Sequence, residues 1–219
     1  MRLLILLLLF GFAACTQQPK KYVPNKKAIQ LEDSAIQLMK VYSSDRIPQD
    51  SNYQKAIRLL NEAIKIDSNY YNAYSSKLSL QWMLKQYDNA LATAKHLKNL
   101  RPNSPDSYVT VGLLYEKLND TISSYKYFNT AISKYDTILD TMSIKNKMYD
   151  VLLMNKGIDL ILAGQQIKGN EILKQLYKKS NDDLYKEMIV PFVNKSRKEV
   201  FENIFNPKST TETKITYPK

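Results

Sequence analysis

Bond-making chemistry needs side chains that ionise, attack or ligate, gathered in groups. This chain of 219 residues holds one cysteine, Cys15, and one histidine, His96. A disulfide framework is excluded, and so is a zinc site built from several Cys and His. A catalytic triad needs a nucleophile, a base and an orienter that converge. His96 lies in Ala94-Lys95-His96-Leu97-Lys98, between lysines, with no acidic residue one turn away. It reads as a surface histidine on a helix. No Gly-x-Ser-x-Gly elbow and no Gly-rich phosphate loop occurs. Asp182-Asp183 follows Ser180-Asn181 ahead of a helix-like run. Carboxylates placed there complement the positive end of a helix, so they read as a cap rather than an acid–base pair. The expectation is a non-enzymatic protein without metal or cofactor.

Charge offers a second route to function. The chain has 32 Lys+Arg against 21 Asp+Glu, a formal charge of +11, and 16 tyrosines that could stack on bases. Arginine occurs only at 2, 46, 58, 101 and 197, so the excess is almost all lysine, spread along the chain rather than gathered in a stripe. Nucleic acid is therefore not expected as a partner. An acidic protein or a negatively charged envelope surface suits this charge better.

The elements that must position any site are helical. Hydrophobic residues make up 44%, enough for a core, whereas 5 Gly and 8 Pro are too few for the many tight turns of a β-sandwich. The chain opens with Met1-Arg2 and the uncharged run Leu3–Ala14. Twelve helical residues rise about 18 Å, short of the roughly 20 residues that cross a bilayer. Residues 1–14 therefore read as a signal peptide. Phe12-Ala13-Ala14-Cys15 resembles the lipobox of bacterial lipoproteins, with Phe where that family usually has Leu. The resemblance implies cleavage before Cys15 and lipid attachment to it. Residues 15–27, with two prolines and four lysines, read as a flexible tether. Thr16-Gln17-Gln18 carries neither an acidic retention signal nor an acidic export signal. The resemblance then implies the outer membrane, with the domain facing the periplasm.

The body repeats. Tyr53, Ala56, Leu60 and Ala63 recur 34 residues on as Tyr87, Ala90, Ala94 and Leu97, and again as Thr121, Ser124, Phe128 and Ala131. Spacings of 3, 4 and 3 put each set on one helical face. Each such helix follows a turn, and residues 71–84 and 105–118 read as the helices before two of those turns. Pro102-Asn103-Ser104-Pro105 separates successive units, with Pro105 suited to open a helix. A 34-residue helix–turn–helix period resembles the tetratricopeptide repeat, and Tyr108, Gly112 and Tyr115 fit its first-helix pattern. Tyr74, Ala90 and Pro102 fit in the preceding unit, which has Leu78 where a small residue is usual. The resemblance implies an all-α, right-handed superhelical array over residues 28–180, in units of about 28–68, 69–104, 105–142 and 143–180.

Two features depart from strict repetition. Gly157 plays the part of Gly112 but stands 45 residues on. The 11 extra residues approximate three helical turns. Either both flanking helices are extended, with Ile138, Leu139, Met142, Ile144 and Met148 along a protruding hairpin, or a plain loop lies around Asp140–Ser143. In the last unit, Ile172, Leu173 and Leu176 should face inward. Residues 181–206 read as a C-terminal capping segment that Pro191 kinks or breaks. Met188, Phe192, Val200, Ile204 and Phe205 are available for its apolar side. The sharper alternative is a partner mimic folded into the groove. Residues 207–219 are polar and Thr-rich and read as a disordered tail.

The repeat's helix phase implies a concave wall of Asn72, Ser75, Ser79 and Trp82, then Asp106, Val109, Leu113 and Glu116. Trp82 either anchors a partner there or packs between repeats. Some relatives carry a Lys/Asn clamp for a peptide carboxylate. Here Ser75, Ser76, Ser79, Val109, Thr110 and Leu113 hold those places, so the clamp is not carried over. The reading that follows is a lipid-anchored scaffold whose wall binds a protein or peptide in the cell envelope. The alternative is an accessory lipoprotein that binds a small ligand or glycan, with Trp82 and tyrosines as stacking platforms.

Overall fold

The structure is a computed structural model and describes residues 22–40 and 50–206. The signal peptide, Cys15, most of the tether and the 207–219 tail lie outside the described residues.

Why these residues form hairpins is clearest at their turns. Lys85, Asn119 and Gly164 adopt left-handed backbone, with φ of 55°, 62° and 82°. Each ends the first helix of a unit. One residue further on, Gln86, Asp120 and Gln165 donate their backbone N–H to the carbonyls of Gln81, Tyr115 and Leu160, five residues back, at 2.8–2.9 Å. This is a Schellman closure, which satisfies carbonyls a helix end otherwise leaves unpaired. Lys85 and Asn119 are 34 residues apart, and Asn119 and Gly164 are 45 apart, so the turn tracks both the period and its one exception.

The helices are α1 Lys26–Lys40, α2 Asp50–Ile66, α3 Tyr71–Met83, α4 Tyr87–Leu100, α5 Pro105–Lys117, α6 Thr121–Thr141, α7 Tyr149–Leu162, α8 Gln166–Lys179, α9 Asp183–Ile189 and α10 Arg197–Phe205. No strand occurs among the described residues. From α1 to α8 each helix packs on the next, giving four hairpins in a row. The small position of the second helices is fully buried at Ala56, Ala90 and Ser124, and Gly169 continues the series. Small residues let helix axes approach, and here the backbones nearly touch. A Cβ on Gly169 would collide with the Gly157 carbonyl oxygen, and one on Gly112 would lie 2.9 Å from the Phe128 ring.

Several expectations are revised. The tether was expected to run to residue 27, but α1 starts at Lys26. The chain before it is pinned by Asp67, which accepts from the Tyr22 hydroxyl and the Asn25 amide, each at 2.8 Å. Of the two helices expected to lengthen around the 45-residue spacing, only the earlier does so. α6 has 21 residues, whereas α7 begins at Tyr149 after a turn through 143–148. Leu139 is buried, and Ile144 and Met148 are exposed. In α8, Leu173 and Leu176 are buried and Ile172 is partly so. The capping segment is two short helices, with the Asp182 carboxylate accepting from the Tyr185 amide at the start of α9. Met188 is exposed rather than inward, and Phe201, which the sequence reading passed over, is buried.

The core falls into three clusters. One joins α1, α2 and α3 through Ala28, Ala35, Leu60 and Leu80. The second joins units two and three through Ala90, Leu91, Val111 and Leu114. The third gathers Phe128, Met154, Ile161 and Leu173 with Ile189, Val193, Val200 and Phe201. The C-terminal segment therefore covers the apolar end of the array, as a cap must. It also reaches much further back along the chain.

Candidate binding groove

The expected wall lies on α3 and α5, the first helices of units two and three, and α10 lies against it and against α7. The local reason for α10 is its start. The Ser196 hydroxyl and the Glu199 carboxylate form a reciprocal capping box, with the Ser196 amide donating to Glu199 Oε2 at 2.8 Å. Bonds from the Ser196 backbone and hydroxyl, then Lys195, hold the Glu199 carboxyl down to about 2.

From that start, Arg197, Phe201 and Phe205 fall one turn apart on one stripe. Arg197 makes a two-pronged pair with Glu116: Nη1 donates to Oε1 at 2.8 Å and Nη2 to Oε2 at 2.7 Å. Its Nε donates to the Leu162 carbonyl at 2.8 Å, satisfying an acceptor in the last turn of α7. The guanidinium centre lies 4.6 Å from the ring centroids of both Tyr125 and Phe201. Phe201 stacks on Phe205 and meets Phe128. Phe205 stacks on Trp82, with centroids 5.4 Å apart, and the Lys117 ammonium sits 3.9 Å from its centroid on α5. Trp82 also meets Tyr87 edge-on.

The eight expected wall residues thus divide. Trp82 and Glu116 are held by α10, and Val109 and Leu113 pack against the cluster that contains Phe201 and Val200. Trp82 and Glu116, expected to face a partner, instead meet the chain's own C-terminal helix. Asn72 and Ser79 are exposed, and Ser75 is half-buried. Asp106 is exposed and lines a cleft of about 230 Å³ with Val109 and Thr110 of α5, Tyr135 of α6, and Asn155, Ile158 and Asp159 of α7. The Tyr135 hydroxyl donates to Asp106 Oδ1 at 2.7 Å. Asp159 is only 3% exposed, and its Oδ2 has no hydrogen-bond partner among the described residues. Burial, then the charge of Asp106, pushes the Asp159 carboxyl well above the usual range. Burial, then the two carboxylates, also raises Tyr135. Sequence reading found Asp106 by helix phase and missed Asp159, a residue near the end of α7 whose burial is set by tertiary packing.

The remaining candidates have packing roles. His96 stacks on Tyr74 at 4.1 Å, with Nε2 3.3 Å from the Ser68 carbonyl oxygen. Tyrosine faces meet the chain's own cations. Lys95 lies over Tyr115, Lys98 and Lys134 over Tyr108, and Arg101 3.5 Å from the centroid of Tyr71. Among the described residues no group of three Asp, Glu, His or Cys side chains could hold a metal ion. Nor is any described helix long and apolar enough to cross a membrane.

Residues 105–133, covering α5 and the first part of α6, match the family model described as "Tetratricopeptide repeat". The chain is 27% identical over 95 residues to human tetratricopeptide repeat protein 28; that stretch is 43% of this chain and 4% of the human protein. Among solved structures it is similar to PilW, described as a widely conserved type IV pilus biogenesis factor, with TM-score 0.47 and 20% identity over 70% of this chain and 62% of that one. It is also similar to MamA from Desulfovibrio magneticus RS-1, with TM-score 0.46 and 15% identity over 69% of this chain and 74% of that one. YrrB, described as a TPR protein with an unusual peptide-binding site, gives TM-score 0.47 and 14% identity over 82% and 87%. The chain spans less than two thirds of the length of both the human protein and PilW.

Proposed function

We propose that this tetratricopeptide-repeat-containing chain is a protein-interaction scaffold that recognises an extended or helical segment of a partner on the wall formed by α3, α5 and α7. The observation that carries the reading is α10 itself. The wall already engages a helix through one two-pronged ion pair and a run of stacked rings, which is how a preformed groove selects an amphipathic segment. The activity is binding without bond chemistry. A stacked-helix array suits this because a curved face presents many modest contacts together. The part not covered by α10 begins at Asn72, Ser75 and Ser79 and continues to Asp106.

The anchoring belongs to the same proposal. The Leu3–Ala14 run and the Phe12–Cys15 box support a lipid on Cys15 in a bacterial envelope, at the outer membrane with the repeats facing the periplasm. Several acyl chains together hold a protein firmly, since each buried CH₂ contributes about 0.8 kcal/mol. The glycan-binding alternative is weakened at its main platform, because one face of Trp82 is stacked by Phe205.

A photo-crosslinking side chain at Ser79, used in intact envelopes, tests the scaffold reading. Discrete protein adducts that are lost when Ser75→Arg obstructs the same strip are expected. Sugar-array binding without protein adducts would overturn it. Cys15→Ala should move the protein from the membrane to the soluble fraction, and retention of that variant on membranes would sink the lipid assignment.

A further inference from the structure

The cleft between α5, α6 and α7 has a chemistry that the scaffold reading leaves unspecified. Two carboxylates meet there, Asp106 at the rim and Asp159 at the floor, in a chain whose formal charge is +11. The rim carboxylate already accepts from the Tyr135 hydroxyl through Oδ1. The floor carboxylate has a buried oxygen without a donor among the described residues. A buried polar atom left unpaired costs free energy, typically about 1–3 kcal/mol, and such orphans are few in native proteins. The nearby cation on α7, Lys156, is engaged with Asp136 of α6, where both side chains reach solvent. The walls of the cleft, Val109 and Ile158, are apolar and would cover an alkyl stem.

We propose that this cleft is a receptor for one lysine or arginine side chain of the partner segment, its cationic head meeting Asp159 and Asp106 and its stem lying between Val109 and Ile158. The inference rests on the scaffold reading for the source of that side chain, but the pocket chemistry can be tested without the partner. Asp106 stands 34 residues from Asn72, and Val109 stands 34 from Ser75. The cleft therefore continues the same strip of the wall that α3 leaves open. The groups that face Asp159 are Asp106 from α5 and Tyr135 from α6; burial, then the charge of Asp106, holds its carboxyl toward the protonated form. A cation would favour the ionised form, so binding should lower the carboxyl's pKa and release a proton where Asp159 is protonated in the free protein. Against the chain's general positive charge, this pocket supplies selectivity for a basic residue at one position of the partner.

The test uses the purified full chain in detergent, labelled with ¹³C at its aspartate carboxyls. The probes are Nα-acetyl-lysinamide and Nα-acetyl-argininamide, with Nα-acetyl-norleucinamide as the uncharged control. Saturable shifts of the Asp159 and Asp106 carboxyl resonances are expected with both cationic probes, at half-saturation on the order of millimolar, the range of a single anchored side chain. Asp159→Asn should weaken the response at Asp106 by tenfold or more. Asp106→Asn, a change at an exposed residue that leaves the fold alone, should weaken the response at Asp159. Shifts matched by norleucinamide or by KCl at equal ionic strength, shifts that persist in Asp159→Asn, or no saturable shift at all would each overturn the assignment. Ser79 crosslinking reads the scaffold separately, so adducts without a probe response would reject the cation pocket alone.

Discussion

The hold of α10 on the wall can be measured through Arg197 and Glu116. Their two bonds are short, and the side chains retain 22% and 19% of their exposure, so solvent screens the pair only in part. At an effective dielectric near 20, unit charges about 4 Å apart attract by about 4 kcal/mol before desolvation is subtracted. Exposed pairs keep roughly 0.2–1 kcal/mol of that, whereas breaking a fully buried pair costs about 3–5 kcal/mol. The intermediate burial here places the coupling at about 1.5–2.5 kcal/mol. Arg197→Ala should cost more than the coupling, about 2–4 kcal/mol, because it also frees the Leu162 carbonyl and removes contacts with Tyr125 and Phe201. The assay is a double-mutant cycle of Glu116→Ala and Arg197→Ala by urea unfolding, with hydrogen exchange of α10 amides as the local readout. Exchange in α10 should accelerate in both single variants. A coupling below about 0.5 kcal/mol together with unchanged exchange would refute the claim that this pair fastens α10.

Three further outcomes are expected. Phe205→Ala strips one face of Trp82, the only tryptophan, so its emission should shift to the red and stability should fall by about 1–3 kcal/mol; unchanged emission would remove α10 from that end of the groove. Gly169→Ala should cost about 3 kcal/mol or more, since the new methyl meets the Gly157 backbone and lies 2.7 Å from Ile161 Cγ1. Gly112→Ala meets first the Phe128 ring, a side chain that can shift, and should cost less, an order that chemical denaturation of the two variants checks. Asp159→Asn should raise the melting temperature at neutral pH. The native carboxyl stands above its ordinary 3.8, so its favourable contribution is complete below that value and is lost as pH rises through the folded value. The gap between variant and native protein should therefore close as pH falls toward 4, and a gap independent of pH would contradict it.

Local pattern carried the array. The spacing of Tyr53, Ala56, Leu60 and Ala63, repeated 34 residues on, is a statement about neighbours three and four residues apart, which the helix geometry converts directly into a buried face. The turns at Lys85 and Asn119 followed the same period, and the 45-residue step on to Gly164 marked one irregular unit. How the 11 residues were spent was not legible: a longer α6 and a turn satisfy the same count as two longer helices.

The groove required the tertiary structure. Arg197 and Glu116 are 81 residues apart, and nothing in the local sequence of either joins them. Helix phase placed Trp82, Val109, Leu113 and Glu116 on one wall, because phase is a property of a single helix and its repeat. Whether that wall meets solvent or another helix depends on where the chain returns after Pro191, a matter of shape and pairing among distant surfaces. The same holds for Asp159. Its position in α7 is written in the sequence, but its burial and its company of Tyr135 and Asp106 from two other helices are set by packing, and burial is what turns an ordinary carboxylate into an unsatisfied one.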